Sequence, residues 1–334
     1  MKRLIVNADD FGYARGVNRA IAEACRNGVV TSTSLLANSA AFEDAVEIAR
    51  AAPPFDSAHG PEPAEGRLDV GCHLNFVEGT PVSPPERVRH LLSADGRFLK
   101  PWQLAARLLR GAVPESEIEQ EAGAQIEKLL RAGIRVSHVD THKHTHTHPA
   151  VARAVARAAR RYDIRWIRRP FENFLPRSAR EKTHGIKNMP WLPLSAKRLL
   201  IASLNLLAPS FEQQMKAAGM TTPDYFTGIL LTGRLTREAF AEILEALPPG
   251  VTEVMCHPGY CDAELLGSST RLREERELER ETVSDGAWRA RARELGIELT
   301  SFGGNGLRHE EPFGKLRAGS AVATPTIPAG ALRD

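Results

Sequence analysis

The chain has 334 residues, of which 42% are hydrophobic and 25% charged, and a formal net charge of +3. That balance belongs to a globular protein, too weakly basic to argue for nucleic acid and too polar for a membrane-embedded fold. The length suits one barrel-sized core. The four cysteines, Cys25, Cys72, Cys256 and Cys261, form no Cys-x-x-Cys pair and read as reduced thiols of a cytoplasmic protein.

Residues 4–8 carry the β-branched bias of a buried strand and run straight into Asp9-Asp10-Phe11-Gly12. Only these few apolar residues separate Lys2-Arg3 from the two acids, so no signal peptide is expected. Two carboxylates therefore stand at the C-terminal tip of the first strand, where α/β folds place their chemistry. Neighbouring strand residues face opposite sides, so one acid can serve a metal and the other a water. A solvated turn with a capping Asp is the plainer alternative.

A helix over 17–26, a strand over 29–36 and a helix over 41–51 follow, then a Pro-, Gly- and Glu-rich loop at 53–66. A strand over 68–74 brings His73 near its end. After a helix over 115–132, the strand over 136–140 leads into His138-Val139-Asp140-Thr141-His142-Lys143-His144-Thr145-His146-Thr147-His148-Pro149. Every second residue there is His or Asp, so an extended segment would carry them all on one face. Burying that many imidazoles demands many partners, and metal binding by at least one explains them better. Two arrangements fit the spacing: His142 and His144 share an ion, or one of them joins Asp10 and His73 from neighbouring strand ends. Two imidazoles and a carboxylate with open positions suit Zn²⁺ or another divalent ion, and Asp140 could hold a ring nitrogen from behind.

Pro149 opens a helix over 150–161, followed by a strand over 165–168. Arg153, Arg157, Arg160, Arg161, Arg165, Arg168 and Arg169 cluster here without an aromatic ladder and read as a solvated helix face. A helix over 195–218 contains the apolar stretch 199–209, too short to span a bilayer. A strand over 226–231, a helix over 236–246 and a strand over 251–256 come next. The last delivers His257 into the Pro258-Gly259 turn, at the same end as Asp9, Asp10, His73 and His142, which suits an acid or base. A helix over 271–295 and a strand over 297–302 complete the pattern. Residues 303–334 lose all periodicity and are expected to be a disordered tail. Repeated βα units predict an α/β protein with a distorted (β/α) TIM-like barrel as a single domain over 1–302.

The motifs Asn7-Ala8-Asp9-Asp10-Phe11-Gly12, Gly71-Cys72-His73-Leu74, His138-Val139-Asp140-Thr141-His142-Lys143-His144 and Met255-Cys256-His257-Pro258-Gly259, in this order, resemble the YdjC-like carbohydrate deacetylases. That family contains the chitooligosaccharide deacetylases. Within it, Arg168-Arg169-Pro170-Phe171-Glu172 and Glu253-Val254-Met255-Cys256-His257 are most similar to the hopanoid-biosynthesis-associated glycosaminyl deacetylases. The resemblance implies a hydrolase with one divalent metal ion, Mg²⁺ or Zn²⁺, that removes the N-acetyl group from an amino sugar, in this subgroup N-acetylglucosamine linked to a hopanoid lipid. It implies Asp10, His73 and His142 as metal ligands, Asp9 as base and His257 as acid. His144, Arg169 and Glu172 are candidate sugar contacts. A cytoplasmic enzyme with at most peripheral contact to the inner membrane surface is expected, with homodimer formation left open. The competing readings are a chitooligosaccharide deacetylase, an amidohydrolase-type enzyme, and a non-enzymatic metal-binding protein.

Overall fold

Among the described residues eight parallel strands alternate with helices, because each short apolar, buried run is followed by an amphipathic run that covers it. A computed structural model of the chain describes residues 1–52, 68–172 and 202–304. The predicted loop at 53–66, the start of the helix predicted at 195–218 and the tail from 305 onward lie outside the described residues.

The elements are β1 (Lys2–Phe11), α1 (Arg15–Asn27), β2 (Ser32–Leu35), α2 (Phe42–Ala51), β3 (Asp69–Leu74), α3 (Pro101–Leu109), α4 (Glu115–Arg131), β4 (Val136–Thr141), α5 (Pro149–Arg161), β5 (Trp166–Ile167), α6 (Ala208–Ala217), β6 (Tyr225–Thr227), α7 (Arg237–Ala246), β7 (Gly250–Cys256), α8 (Ala263–Gly267), α9 (Glu275–Val283), α10 (Ala287–Glu294) and β8 (Ile297–Leu299). The sheet runs β5-β4-β3-β2-β1-β7-β6, and β8 pairs with the first residues of β1 while β2 pairs with its last. It curls into a half-barrel surrounded by helices, a distorted TIM-like barrel in one α/β domain. Between the edge strands, Thr221 bridges to β5 by donating to Arg165 O at 2.7 Å and accepting from Ile167 N at 3.0 Å.

Alternation along β1 sorts the interior. Leu4, Val6 and Ala8 belong to the main apolar core, whereas Ile5 packs with Phe302, Trp166 and Val251 in a small separate cluster. Asn7 and Asp9 share the parity of Ile5, so the barrel interior passes from an apolar plug to a polar upper half. His138 fits there because position 71 is glycine: a Cβ at Gly71 would lie 2.3 Å from the His138 ring. The ring stacks on Phe302 at 3.9 Å between centroids.

Three expectations change. The helix predicted over 271–295 is two helices, α9 and α10, broken at Ser284–Gly286, with Trp288 Nε1 donating back to Thr282 O at 2.7 Å. The strand predicted over 226–231 stops at Thr227, because Gly228 takes φ 138° against Met255. The histidine run is not one extended face. β4 ends at Thr141, and residues 142–147 form a tight 3₁₀ turn in which Lys143 (φ 56°) and His144 (φ 51°) are left-handed.

Candidate active site

Asp10 would point at the helices if β1 simply alternated. It does not, because its φ is 69° and the β1–β2 register shifts between Ala8 and Phe11. Left-handed backbone is strained for most residues and tolerated by Asp. The bulge turns the Asp10 carboxylate towards the barrel mouth, beside Asp9. Both acids therefore face His73, not opposite sides of the strand.

Arg276, on α9, donates to Asp10 Oδ2 at 2.5 Å. The other oxygen, Oδ1, is buried and accepts no well-aligned hydrogen bond. It lies 3.1 Å from His142 Nδ1 and 3.5 Å from His73 Nε2, and those two nitrogens are 3.2 Å apart. Ligand bonds of about 2.0–2.2 Å to one ion put donor atoms roughly 3–3.5 Å from one another. The trio fits a single divalent ion.

Each imidazole is aimed by a carboxylate behind it. Asp140 stands beside His73 in the β3–β4 register and takes its Nδ1–H at 2.7 Å. Glu78 lies 3.5 Å from His142 Nε2 and pairs with Lys143. Such partners fix the ring and leave the other nitrogen for the metal. Burial opposes charge on both rings, but Asp140 and Asp9 raise His73 above 6.5, and Asp10 and Glu78 push His142 up to about 9. Burial alone would raise Asp10, yet Arg276 and His142 hold it well below the usual carboxylate range.

Asp9 sits in a second acid cluster with His73 and Asp140. Here a guanidinium fills the centre. Arg168 is fully buried and donates through Nη1 and Nη2 to the two Asp9 oxygens at 2.7 and 2.6 Å, with Nη1 also 2.8 Å from Asp140 Oδ2. Asn7 Nδ2 donates to Asp9 Oδ1 at 2.9 Å and Ser34 Oγ to Asp140 Oδ2 at 2.9 Å. The Asp9 carboxylate is thus fixed beside the Asp10, His73 and His142 trio but not part of it. Reading Arg168 as a surface cation is overturned. The helix cations do stay outside: Arg153, Arg157 and Arg161 pair with Glu115 and Glu119 across α4.

His257 ends β7. Its backbone N–H donates to Glu279 Oε2 at 2.5 Å, and its Nδ1 is buried without a hydrogen bond. Burial pushes its ring down to about 4, so it is neutral at rest near pH 7. His144 Nδ1 is likewise buried without a partner, its ring edge-on to Phe226 at 6.0 Å, and burial holds it well below 6.5. Arg169 and Glu172 are buried and engaged with protein. Arg169 donates to Glu212 Oε1 and Phe171 O at 2.7 Å each; Glu172 accepts from Gly228 N and Leu230 N at 3.0 Å each.

Sequence reasoning missed Arg168, Arg276, Glu78, Glu253 and Glu279. Arg168 had one usable signal, its place at the end of a strand whose neighbours carry the acids. Glu253 had another, its place in the strand motif that leads to His257, while Glu78, Arg276 and Glu279 come from chain segments that no local pattern links to the site.

A half-barrel of parallel strands that gathers Asp and His donors at its C-terminal rim defines an α/β-barrel enzyme with a site able to hold a metal ion. Residues 3–294 match the family described as YdjC-like protein, and the chain belongs to that family. It is 33% identical over 285 residues to a carbohydrate deacetylase of Brevibacillus brevis, covering 85% of this chain and 92% of the relative. It is 27% identical over 305 residues to a carbohydrate deacetylase of Thermoanaerobacter pseudethanolicus, covering 90% and 98%. A solved structure from Enterococcus faecalis V583, assigned by name to cellobiose-phosphate cleavage, superposes with a TM-score of 0.67 at 25% identity and covers 90% of this chain and 97% of its own. The chain is a hydrolase of the deacetylase kind. No helix among the described residues is long and apolar enough to cross a membrane.

Proposed function

We propose that this protein is a metal-dependent carbohydrate N-deacetylase in which Asp10, His73 and His142 hold one divalent ion, Mg²⁺ or Zn²⁺. The observation that carries the reading is the trio of donor atoms 3.1–3.5 Å apart beside a carboxylate that is kept off the trio by its own arginine. When bound, the ion would polarise the acetyl carbonyl and make a water acidic.

The chain's own groups account for the protons. Asp9, an acceptor only, takes one from the attacking water. His257 gives one to the departing sugar nitrogen, a poor leaving group without it. Since the ring is neutral at rest, that proton is gained during the cycle, and the one that Asp9 has taken is its source. Water is split, acetate leaves and the amine is released. His144, with its unpartnered Nδ1, is the proposed sugar contact. Arg169 and Glu172 support the rim from behind.

For the substrate we propose N-acetylglucosamine linked to a hopanoid lipid, met at the cytoplasmic membrane surface. Exposed apolar side chains support a lipid. On α3, Trp102 is 69% and Leu109 81% exposed, and residues 97–113 hold four cations and no acid. On the described end of the apolar stretch, Leu206 is 81% exposed, unlike a core residue. The neighbour named for cellobiose-phosphate favours a second reading, a soluble disaccharide.

The test is acetate release by metal-loaded protein from a lipid-linked N-acetylglucosamine and from chitobiose. Higher kcat/KM on the lipid is expected; equal values would remove the lipid and keep the deacetylase. Asp9→Asn should retain the ion while kcat falls about 10²–10⁴-fold.

A further inference from the structure

Arg168 meets three carboxylates, and only one of them is the proposed base. Glu253 lies on β7, in register with Ile5 of β1 and Phe226 of β6, and is fully buried. Its Oε1 accepts from Arg168 Nε at 2.7 Å. Its Oε2 has no hydrogen-bond partner among the described residues. Nothing in the reaction above uses it.

We propose that Glu253 is a positioning residue: by anchoring the Nε–H it fixes the plane of the Arg168 guanidinium, so that both terminal nitrogens meet Asp9 and hold it ready for the attacking water. The inference rests on the reading of Asp9 as base. Asp9 Oδ2 and Asp140 Oδ2 compete for Nη1, at 2.7 and 2.8 Å. A guanidinium is a rigid planar fork, so its direction is decided by what holds its remaining N–H. Released at Nε, the fork would be able to turn its two terminal nitrogens onto Asp140, whose second oxygen is committed to His73 at 2.7 Å. Asp9 would then keep only part of its support. Phe226 lies under the guanidinium at 5.5 Å and limits tilt without choosing between the two acids. Burial pushes the Glu253 carboxyl up to about 7, and in either protonation form an oxygen can accept the Nε–H. A glutamine should therefore do the same work.

The experiment compares Glu253→Met, which fills the space but accepts no bond, with Glu253→Gln, on metal-loaded full-length protein and chitobiose. The Met variant should lose about 10²-fold in kcat, the scale expected when a reacting group is misplaced by an ångström, with KM and metal content within about twofold. Glutamine should restore the rate to within about threefold. On an Asp9→Asn background the Met penalty should vanish, because the group being positioned is gone. Equal losses for Met and Gln, an unchanged rate for Met, or the full penalty on the Asp9→Asn background would each overturn the proposal. Should Met prevent folding, Glu253→Asp, one methylene short of Nε, replaces it with the same expectations. Near-normal turnover by Asp9→Asn alone would instead sink the base assignment.

Discussion

Two pairs of histidines meet at the mouth of this barrel, and they differ in what stands behind them. On the β3–β4 side, His73 and His142 each have a carboxylate facing the second ring nitrogen, and both are raised, His142 to about 9. On the other side, His144 and His257 each leave Nδ1 buried without a hydrogen bond, with Glu279 Oε2 3.9 Å from that of His257, and both are lowered, His257 to about 4. The same side chain is thus prepared for two kinds of work. A carboxylate bound to the ring makes it a firmer electron donor to a cation; a buried ring without such a bond stays neutral and is available to take and return a proton.

The sharpest way to break this comparison is to remove one ring from each side. Ala at His73 or His142 should take the bound ion and the activity away together, read by metal analysis and acetate release. Ala at His257 should leave the ion in place and lower kcat about 10²–10⁴-fold. Ion loss in His257→Ala, or full occupancy in both of the others, would reverse the two roles.

A smaller effect probes the support itself. Glu78→Gln keeps the side chain's shape but weakens its hold on His142, and metal affinity should fall about 10–100-fold. Calorimetric titration checks it; unchanged affinity would mean that the Glu78 contact serves only Lys143.

The smallest effect is in pH. In metal-free protein, the raised pKa of His142 adds stability that is complete below about 6.5 and is lost as pH rises towards about 9, and the raised His73 acts in the same direction. The lowered His257 works oppositely: its contribution is present above about 6.5 and is lost as pH falls towards about 4. His257→Ala should therefore flatten the acid side of a melting-temperature profile, and His142→Ala the alkaline side. Identical profiles for the two variants would show that neither ring titrates as its surroundings indicate.

Much of this was legible beforehand. Short apolar runs alternating with helical patterns placed the eight described strands, and Pro149 marked the start of α5, where His148 accepts from Ala150 N at 3.3 Å. Strand-end acids and histidines could be read because a parallel sheet sends its C-terminal tips to one rim. The left-handed turn at 143–144 was hidden, since alternating His and Thr gives the same pattern whether or not the chain stays extended. So were the arginines. Arg168 looked like its neighbours on α5 because charge clusters are counted along the chain, and burial is decided across the sheet. Arg276 reaches Asp10 from 266 residues away, aided by Gly259, where a Cβ would lie 2.9 Å from the arginine Cδ. No short window contains that contact.

The backbone at Asp10 carries a consequence for how such a site can change over generations. A left-handed residue with a side chain costs about 1–2 kcal/mol, and the turn brings a donor to the rim only if that residue is also a short acid. Glutamate would supply the charge without the conformation. Asparagine would supply the conformation without the charge, and glycine would ease the turn and offer nothing to bind. If Asp10 holds the ion as proposed, metal ligand and strained bend are inherited as one character. A lineage that abandoned the ion would be expected to straighten its first strand as well, so the shape of that strand tip, seen in a descendant, would record whether the chemistry had been kept.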